Sequence, residues 1–218
     1  MGIHDALFTS KIPGLLGLKE NAIEYKEIYS LSDAPFDAVG GGEGAREPGY
    51  PDFTKTLVPD LEPVPLDLSW MGHPFAVPYV RRSPLMLINI SAYSRLLLAD
   101  FHQGGGRIVA AELKEKRDFA SIDERTIINC TGYGARELLG DESITPVRGQ
   151  TAKLIPQAEV NYRIRYGDRH ISAYPRRDGI LVQAGADTDF GNPQANIDPE
   201  ESISAVNRLA EVMAGLKV

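Results

Sequence analysis

The first half of the chain has one stretch in which apolar and polar positions alternate, followed by a long polar stretch. In residues 20–31 apolar side chains recur at every second position, with one interruption at Glu27: Ile23, Tyr25, Tyr29 and Leu31. This period of two predicts a half-buried strand. Residues 32–65 are rich in Gly, Pro and Asp and predict a long irregular loop, whereas residues 75–80 predict a short strand.

The apolar period becomes that of a helix in residues 89–103, which Asn89 or Ser91 can cap and which three consecutive glycines end. Two strands and a short helix are predicted next, at residues 107–113, 126–130 and 134–139. The second of these strands shows little alternation, which is typical of a strand buried on both faces of a parallel sheet. This order of elements indicates one edge of a doubly wound domain.

The last third of the chain predicts a different layout, with several short strands and one helix. The strands are expected at residues 150–155, 161–166, 170–174 and 180–184. The segment Arg177-Asp178-Gly179 has the composition of a hairpin turn. The final helix has Asp198 as its cap and Pro199 at its first position. Its predicted buried stripe is Ile203, Val206, Leu209 and Met213. The sequence is therefore that of a mixed α/β protein.

Composition and charge exclude several classes of partner. The chain has 218 residues, of which 43% are hydrophobic and 24% charged, as in a globular protein. Its formal net charge is −7 and no dense Lys/Arg face is visible, so nucleic acid is not an expected partner. The pairs Arg81-Arg82 and Arg176-Arg177 are interpreted as turn or rim charges.

The cysteine and histidine positions and the lengths of the apolar runs exclude further kinds of site and segment. Cys130 is the single cysteine, which excludes an intrachain disulfide and a cysteine-based metal cluster. The four histidines show no metal-ligand spacing, so we expect no metal site. No apolar run is long enough for a membrane span, and residues 1–19 have no pattern of a signal peptide.

Three motifs suggest chemistry, and each also has a plain structural interpretation. Residues 40–45 match the dinucleotide pattern G-x-G-x-x-A, but no buried strand precedes them and no helix can follow, so a loop is favoured. Residues 187–191 resemble a calcium loop without the late glutamate, and a solvated turn is favoured. Asn129-Cys130-Thr131-Gly132 ends a predicted strand, where cofactors meet open α/β sheets. From these residues alone a plain turn with a capping Thr131 is favoured.

Several motifs in one order resemble the D-amino-acid oxidases. The most specific part is residues 126–150. The matching segments are Asn129-Cys130-Thr131-Gly132, Gly134-Ala135-Arg136-Glu137-Leu138, Asp141 and Pro146-Val147-Arg148-Gly149-Gln150, with Pro51-Asp52-Phe53 and Leu57-Val58-Pro59-Asp60 upstream and Pro175-Arg176-Arg177-Asp178-Gly179 downstream. The resemblance covers residues 51–218. It implies a flavin-binding doubly wound domain interleaved with a substrate domain built on a mixed sheet.

The resemblance also implies a division of the chain and a reaction. Residues 92–142 would belong to the FAD-binding domain, and residues 1–91 and 143–218 to the substrate domain. The implied activity is oxidative deamination of a D-amino acid by hydride transfer to FAD, followed by reoxidation of the flavin by oxygen. The implied partner is a small amino-acid substrate, and the cofactor carries the difficult chemistry.

Only a few site residues can be carried over. Thr131 matches a threonine that contacts the flavin, and Leu113 matches a position that meets the adenine side through backbone groups. Tyr166 and Tyr174 lie near the family's active-site tyrosines, although Asp168 and Ser172 occupy the strict register. Either tyrosine can equally be a packing aromatic of the sheet. The segment 148–150 is expected to mark the crossing between domains.

Two segments of the family pattern are not found in this sequence. One is the N-terminal strand–GxGxxG–helix unit. The other is the late segment that supplies a carboxylate-binding arginine and a loop over the flavin. The sequence is therefore expected to be an incomplete oxidase that is inactive alone. The alternatives are a non-catalytic binding module derived from the fold, and an enzyme of the glycine- or sarcosine-oxidase type.

Overall fold

The protein is described by a computed structural model for residues 22–36, 64–185 and 189–217. Seven strands form one mixed sheet in the order β2-β3-β1-β5-β6-β7-β4. The strands are β1 (Ile23–Ser32), β2 (Leu66–Asp67), β3 (Tyr79–Ile88), β4 (Thr151–Leu154), β5 (Tyr162–Tyr166), β6 (Ile171–Arg176) and β7 (Gly179–Ala184). The helices are α1 (Ile90–Gln103), α2 (Gly134–Leu139) and α3 (Pro199–Ala214), with short 3-10 helices at Lys116–Ser121 and Gly167–Arg169. The mixed α/β fold is confirmed.

Strand β1 forms where the alternating sequence predicts a half-buried strand, and it lies in the middle of the sheet. It pairs with β3 in the antiparallel sense and with β5 in the parallel sense. The prediction of a short strand at residues 75–80 is wrong, because β3 begins at Tyr79 and continues to Ile88. Arg81 and Arg82 are consequently strand residues and not turn charges. Their side chains face carboxylates of neighbouring strands, and Arg82 Nε lies 3.7 Å from Glu27 Oε2.

The four strands predicted in the last third of the chain are all present. Strands β6 and β7 form a hairpin in which Arg176 pairs with Gly179, so Arg177 and Asp178 make the turn. Gly179 has a φ of +144°, and a Cβ there would collide with the Leu154 carbonyl oxygen of β4. Glycine is therefore required where β7 leaves the turn.

Helix α3 covers one face of the sheet and completes the core. The Asp198 side chain accepts hydrogen bonds from the backbone N–H groups of Glu200 and Glu201, as expected for a cap. The prediction of a buried Ile203 is wrong: this side chain is 52% exposed. Helix α3 instead presents the small Ala205 to the sheet, and the buried core also contains Leu31, Phe75, Val80, Ile164, Tyr166, Ile171, Ala173, Ile180, Val182, Ala184 and Leu209.

Residues 89–150 contribute no strand to the sheet. Helix α1 begins after Asn89, whose side-chain oxygen accepts a hydrogen bond from Ala92 N at 3.1 Å, as predicted. The strands predicted at residues 107–113 and 126–130 do not form. A strand requires a hydrogen-bonded neighbour, and no described residue pairs with either segment. Apolar side chains in both remain exposed, including Ile128 at 84%.

The sheet strands thus come from residues 23–88 and 151–184, on either side of the segment assigned by resemblance to the FAD-binding domain. The division at residues 91 and 142 stays a prediction. The glycine-rich residues 40–45 and residues 187–188 of the calcium-like turn lie outside the described residues. Among the described helices, none is long and apolar enough to cross a membrane.

Candidate functional site

The sheet has one apolar face and one polar face, because side chains alternate along each strand. On β5, Ile164 and Tyr166 are buried in the core beside α3. Arg163 and Arg165 therefore project from the opposite face. The same alternation on β6 sends Ala173 into the core and places Ser172, Tyr174 and Arg176 on the polar face.

A pocket of about 350 Å³ lies at the hairpin end of this polar face. Strands β6, β7 and β4 form one wall, and the ends of β1 and β3 form the other. Its lining includes Glu24, Leu87, Tyr174, Arg176, Leu181 and Gln183. A volume of this order lies at the lower end of the range of small-molecule pockets, about 300–1,000 Å³.

Tyr174 is held in this pocket by a neighbouring arginine. The Arg163 side chain donates a hydrogen bond from Nη2 to the Tyr174 hydroxyl oxygen at 2.7 Å. The carbon of the same guanidinium lies 4.0 Å from the centroid of the Tyr174 ring, a cation–π contact. Both contacts fix the orientation of the phenol, which leaves its hydroxyl proton available to a ligand.

Two ion-pair groups form the rim of the pocket. Glu24 on β1 contacts Arg177 Nε at 2.7 Å and Lys26 Nζ at 3.5 Å. Asp178 at the hairpin turn receives a hydrogen bond from Lys153 Nζ at 2.8 Å and lies 3.2 Å from Arg176 Nε. The Lys153 hydrogen bond is the main reason that the pKa of Asp178 is lowered. Each carboxylate at the rim is thus shared by two cations.

Tyr166 has a different environment from Tyr174 and does not border the pocket. It is 3% exposed, and its hydroxyl donates a hydrogen bond to Asp33 Oδ1 at 2.5 Å. Burial, followed by this hydrogen bond, raises its pKa to about 12. The guanidinium of Arg169 lies 5.6 Å from its ring centroid. Tyr166 therefore packs as a core aromatic, and the substrate role of both tyrosines stays a prediction.

The two residues in strict family register are also separated. Asp168 accepts hydrogen bonds from Asp33 N at 2.7 Å and Ser32 Oγ at 3.1 Å. These bonds link the end of β1 to the turn after β5. Ser172 lies on the polar face, two residues from Tyr174 and opposite Gln183 of β7. Of the two, only Ser172 shares a face with the pocket.

Thr131 lies in an exposed turn immediately before α2. Its hydroxyl and its backbone N–H both donate to Asn129 Oδ1, at 2.8 and 3.3 Å. The next residue, Gly132, has a φ of +56° and open space where a side chain would stand. The turn can therefore be approached closely by a planar group, and the Thr131 hydroxyl oxygen can still accept a hydrogen bond. These features fit the flavin that the family resemblance implies.

Leu113, the second predicted cofactor residue, is half-buried at the end of an extended segment. The backbone N–H groups of the next two residues, Lys114 and Glu115, donate to Asp118 Oδ2 at 2.7 and 3.0 Å. These hydrogen bonds fix the chain direction just after Leu113. Its contact with the adenine side of a flavin stays a prediction.

The segment 148–150, expected to mark a crossing between domains, forms a polar junction with α3. Arg148 Nη1 donates to Glu201 Oε2 at 2.6 Å and lies 3.7 Å from Asp189 Oδ1. The hydrogen bond with Glu201 is the main reason that the pKa of Arg148 is raised. Gln150 donates to the Ser202 hydroxyl at 2.8 Å and accepts from Asp198 N at 2.8 Å. The junction anchors the start of α3 beside β4.

Local sequence patterns do not indicate Arg163 or Glu24 as site residues, and they indicate a turn or rim charge at Arg176. The signal for Arg163 was present, because two arginines alternate with apolar residues along β5. Such alternation assigns the arginines to the face opposite the core. The signal for Glu24 was absent, since its contact with Arg177 joins positions far apart in sequence.

This chain is similar to one protein family and to several individual oxidases. The model of the family described as FAD dependent oxidoreductase matches residues 54–218, more than half of the chain. A "D-amino-acid oxidase" from Streptomyces coelicolor is 30% identical over 140 residues, which cover 62% of this chain and 42% of that protein. A "D-amino acid oxidase" from Dugesia ryukyuensis is 30% identical over 118 residues, 54% of this chain and 34% of the relative. A "D-amino-acid oxidase" from Dictyostelium discoideum is 29% identical over 122 residues, which cover 55% of this chain and 34% of that protein. The matched region spans less than half the length of each relative.

Proposed function

Because the chain belongs to the family of FAD dependent oxidoreductases, we propose that it forms part of an enzyme that deaminates D-amino acids oxidatively. The D-amino-acid oxidase names of its relatives motivate the choice of substrate. The observation that carries the proposal is the pocket of about 350 Å³ on the polar sheet face, with Tyr174 held beside a cluster of arginines.

The side chains around this pocket suit the groups of an amino acid. A guanidinium binds a carboxylate through two parallel hydrogen bonds, so Arg176, which lines the pocket, is the candidate partner of a substrate carboxylate. The Tyr174 hydroxyl, oriented by Arg163, can donate a hydrogen bond to the same group. Leu87 and Leu181 supply apolar contacts for a side chain. Together these residues can orient a substrate.

The proposed cofactor residues lie in the exposed turn and in the segment before the first 3-10 helix. Thr131 would contact the flavin through its hydroxyl, and Leu113 would meet the adenine side through its backbone. When bound, FAD supplies the electron acceptor for oxidation of the bond between the substrate α-carbon and its nitrogen. The contribution of this chain is to bind and orient both partners, which accounts for a large share of the rate acceleration in such reactions.

The first experiment measures flavin retention. The purified chain is incubated with FAD and desalted, and its visible absorption spectrum is recorded. Because the sequence contains only part of the family's FAD-binding pattern, the proposal predicts at most a weak flavin band, and Thr131→Ala should weaken it further, since one hydrogen bond contributes on the order of 1 kcal/mol, or about fivefold in affinity.

Ser143→Ala is the matched control. The Ser143 hydroxyl donates to Asp141 in a turn of the same kind as that formed by Asn129 and Thr131, but it is not a proposed flavin contact. Equal loss of flavin in both variants would contradict the assignment of Thr131. A colourless chain that is monomeric and unfolds cooperatively would contradict the cofactor proposal and favour a non-catalytic binding module.

A further inference from the structure

The hydroxyl of Tyr133 joins the turn at residues 129–132 to residues 146–148, called the bridging segment below. Tyr133 follows Gly132 directly and lies immediately before α2. Its hydroxyl oxygen accepts a hydrogen bond from Val147 N at 2.7 Å, and the same hydroxyl donates to the Val147 carbonyl oxygen at 3.2 Å. One side chain thus binds both backbone polar groups of a residue 14 positions further along the chain.

The bridging segment is already paired along its other edge. Val147 forms an antiparallel bridge with Phe190, and the hydrogen bonds of this bridge come from the residues on either side of Val147, at 2.8 and 2.9 Å. Backbone groups alternate in direction along an extended chain, so the N–H and C=O groups of Val147 point to the opposite edge. The Tyr133 hydroxyl lies there and takes the place of a neighbouring strand.

The same segment is anchored to the helix that covers the sheet. Arg148 follows Val147, and its guanidinium donates to Glu201 of α3 at 2.6 Å. On the other side, the Tyr133 carbonyl oxygen accepts a hydrogen bond from Arg136 N at 3.1 Å, which fixes the Tyr133 backbone to the first turn of α2. A connected set of hydrogen bonds therefore leads from α3 to the residue next to Gly132.

From this arrangement we infer that Tyr133 is a positioning residue, which holds the turn that carries Thr131 at a fixed place relative to the sheet. The inference rests on the proposed function, in which Thr131 contacts the flavin. Only Gly132, with a φ of +56°, separates the two residues, so a displacement of Tyr133 also moves the Thr131 hydroxyl. Groups that orient a cofactor must be held to within about 0.5 Å, and an exposed turn needs such a link to meet that limit.

Arg136 makes a second contact between α2 and the same loop. Its Nη1 donates to the Ile144 carbonyl oxygen at 3.1 Å. This contact is three residues further from the turn than Tyr133, and it ends before the bridging segment begins. We therefore assign the positioning role to Tyr133, and Arg136 provides a matched comparison.

The test uses a nitroxide spin label on Cys130, the single cysteine of the chain, which is exposed in the turn. The line shape of its electron paramagnetic resonance spectrum reports the nanosecond motion of the turn without any flavin. In Tyr133→Phe the ratio of mobile to immobile label should rise about fivefold, the effect of losing one hydrogen bond. Tyr133 is 53% exposed, so the substitution changes little in packing, and unfolding midpoints establish that the variant folds.

Two control variants separate the role of Tyr133 from general effects. Arg136→Met removes the second contact and should change the ratio of mobile to immobile label by less than about twofold. Tyr93→Phe removes a hydroxyl from α1 and should leave the ratio unchanged. An unchanged label spectrum in Tyr133→Phe would overturn the inference, as would an equal rise in Arg136→Met.

A second readout follows the flavin in the unlabelled proteins. With excess FAD, a flavin held in one orientation gives an induced circular dichroism band in the visible region, and this band should weaken in Tyr133→Phe. A band of wild-type strength in Tyr133→Phe would also overturn the inference. A wild-type protein that gives no band, but whose turn is loosened by Tyr133→Phe, would keep the positioning of the turn and contradict the proposed function.

Discussion

Replacing Tyr166 by phenylalanine tests the structure at the point where a buried phenol joins two strands. The hydroxyl donates to Asp33 Oδ1 at 2.5 Å, and the ring belongs to the core. At neutral pH Tyr166→Phe removes this hydrogen bond and leaves the ring packing intact. Asp33 is exposed, so its carboxylate regains water. We therefore expect the free energy of unfolding to fall by about 1 kcal/mol.

At alkaline pH the sign of this difference reverses. The folded-state pKa of Tyr166 is raised to about 12, above the value of about 10 in the unfolded chain. Stability from the protonated phenol is fully present below pH ~10 and is lost as the pH rises toward ~12. The full loss is about 3 kcal/mol, and about half of it has occurred at pH ~11. The wild-type protein and Tyr166→Phe should therefore be equally stable near pH ~11.

The assay is urea unfolding followed by circular dichroism at several pH values between about 8 and 11. At each pH the free energy of unfolding of Tyr166→Phe is subtracted from that of the wild-type protein. This difference removes the contribution of other titrating groups to the pH dependence. Tyr25→Phe is the control, because Tyr25 is 47% exposed and its substitution should change stability by less than about 0.5 kcal/mol at every pH. A stability difference between Tyr166→Phe and wild type that does not change with pH would refute the reasoning.

Two further substitutions test the packing around the candidate site. Asp198→Ala removes the cap of α3 and should lower the free energy of unfolding by about 1 kcal/mol in a urea titration, whereas Asp198→Asn should retain most of the stability because asparagine also caps. Gly179→Ala forces a Cβ toward the Leu154 carbonyl oxygen at a φ of +144° and should cost more than about 1 kcal/mol. Gly72→Ala, at a positive φ but with open space around it, measures the backbone strain alone, and an equal loss there would contradict the proposed collision.

Local signals made much of the fold predictable. The strands of the last third and the caps of α1 and α3 depend on short patterns of apolar, turn and capping residues, and all are present. The strands expected at residues 107–113 and 126–130 had equally good local patterns. A strand also requires a partner that supplies hydrogen bonds, and this non-local condition cannot be derived from the segment itself. Because neither segment forms a strand, the side chains of Ile108 and Ile128 are exposed to solvent.

The two tyrosines illustrate why the candidate site was harder to predict than the fold. Tyr166 and Tyr174 both lie in correctly predicted strand segments, yet they project from opposite faces of the sheet. The reason is the pairing register, in which Tyr166 lies opposite Ile171. Paired residues share a face, so the core positions of β6 are Ile171, Ala173 and Pro175, and Tyr174 projects from the other side. The turn between the strands, with His170 at a φ of +48°, sets this register.

The same register makes the stability of the sheet and the geometry of the pocket interdependent. A shift of one residue between β5 and β6 would bury Arg163 in place of Ile164 and expose the apolar core face, at a high cost in free energy. The core therefore fixes the contact between Arg163 and Tyr174 through the pairing register of β5 and β6. Substrate groups bound beside Tyr174 would be positioned by Ile164, Ala173 and Val182, which never touch them. Truncation of these core residues should loosen the pocket as well as destabilise the fold, whereas changes at exposed Ile203 should affect neither.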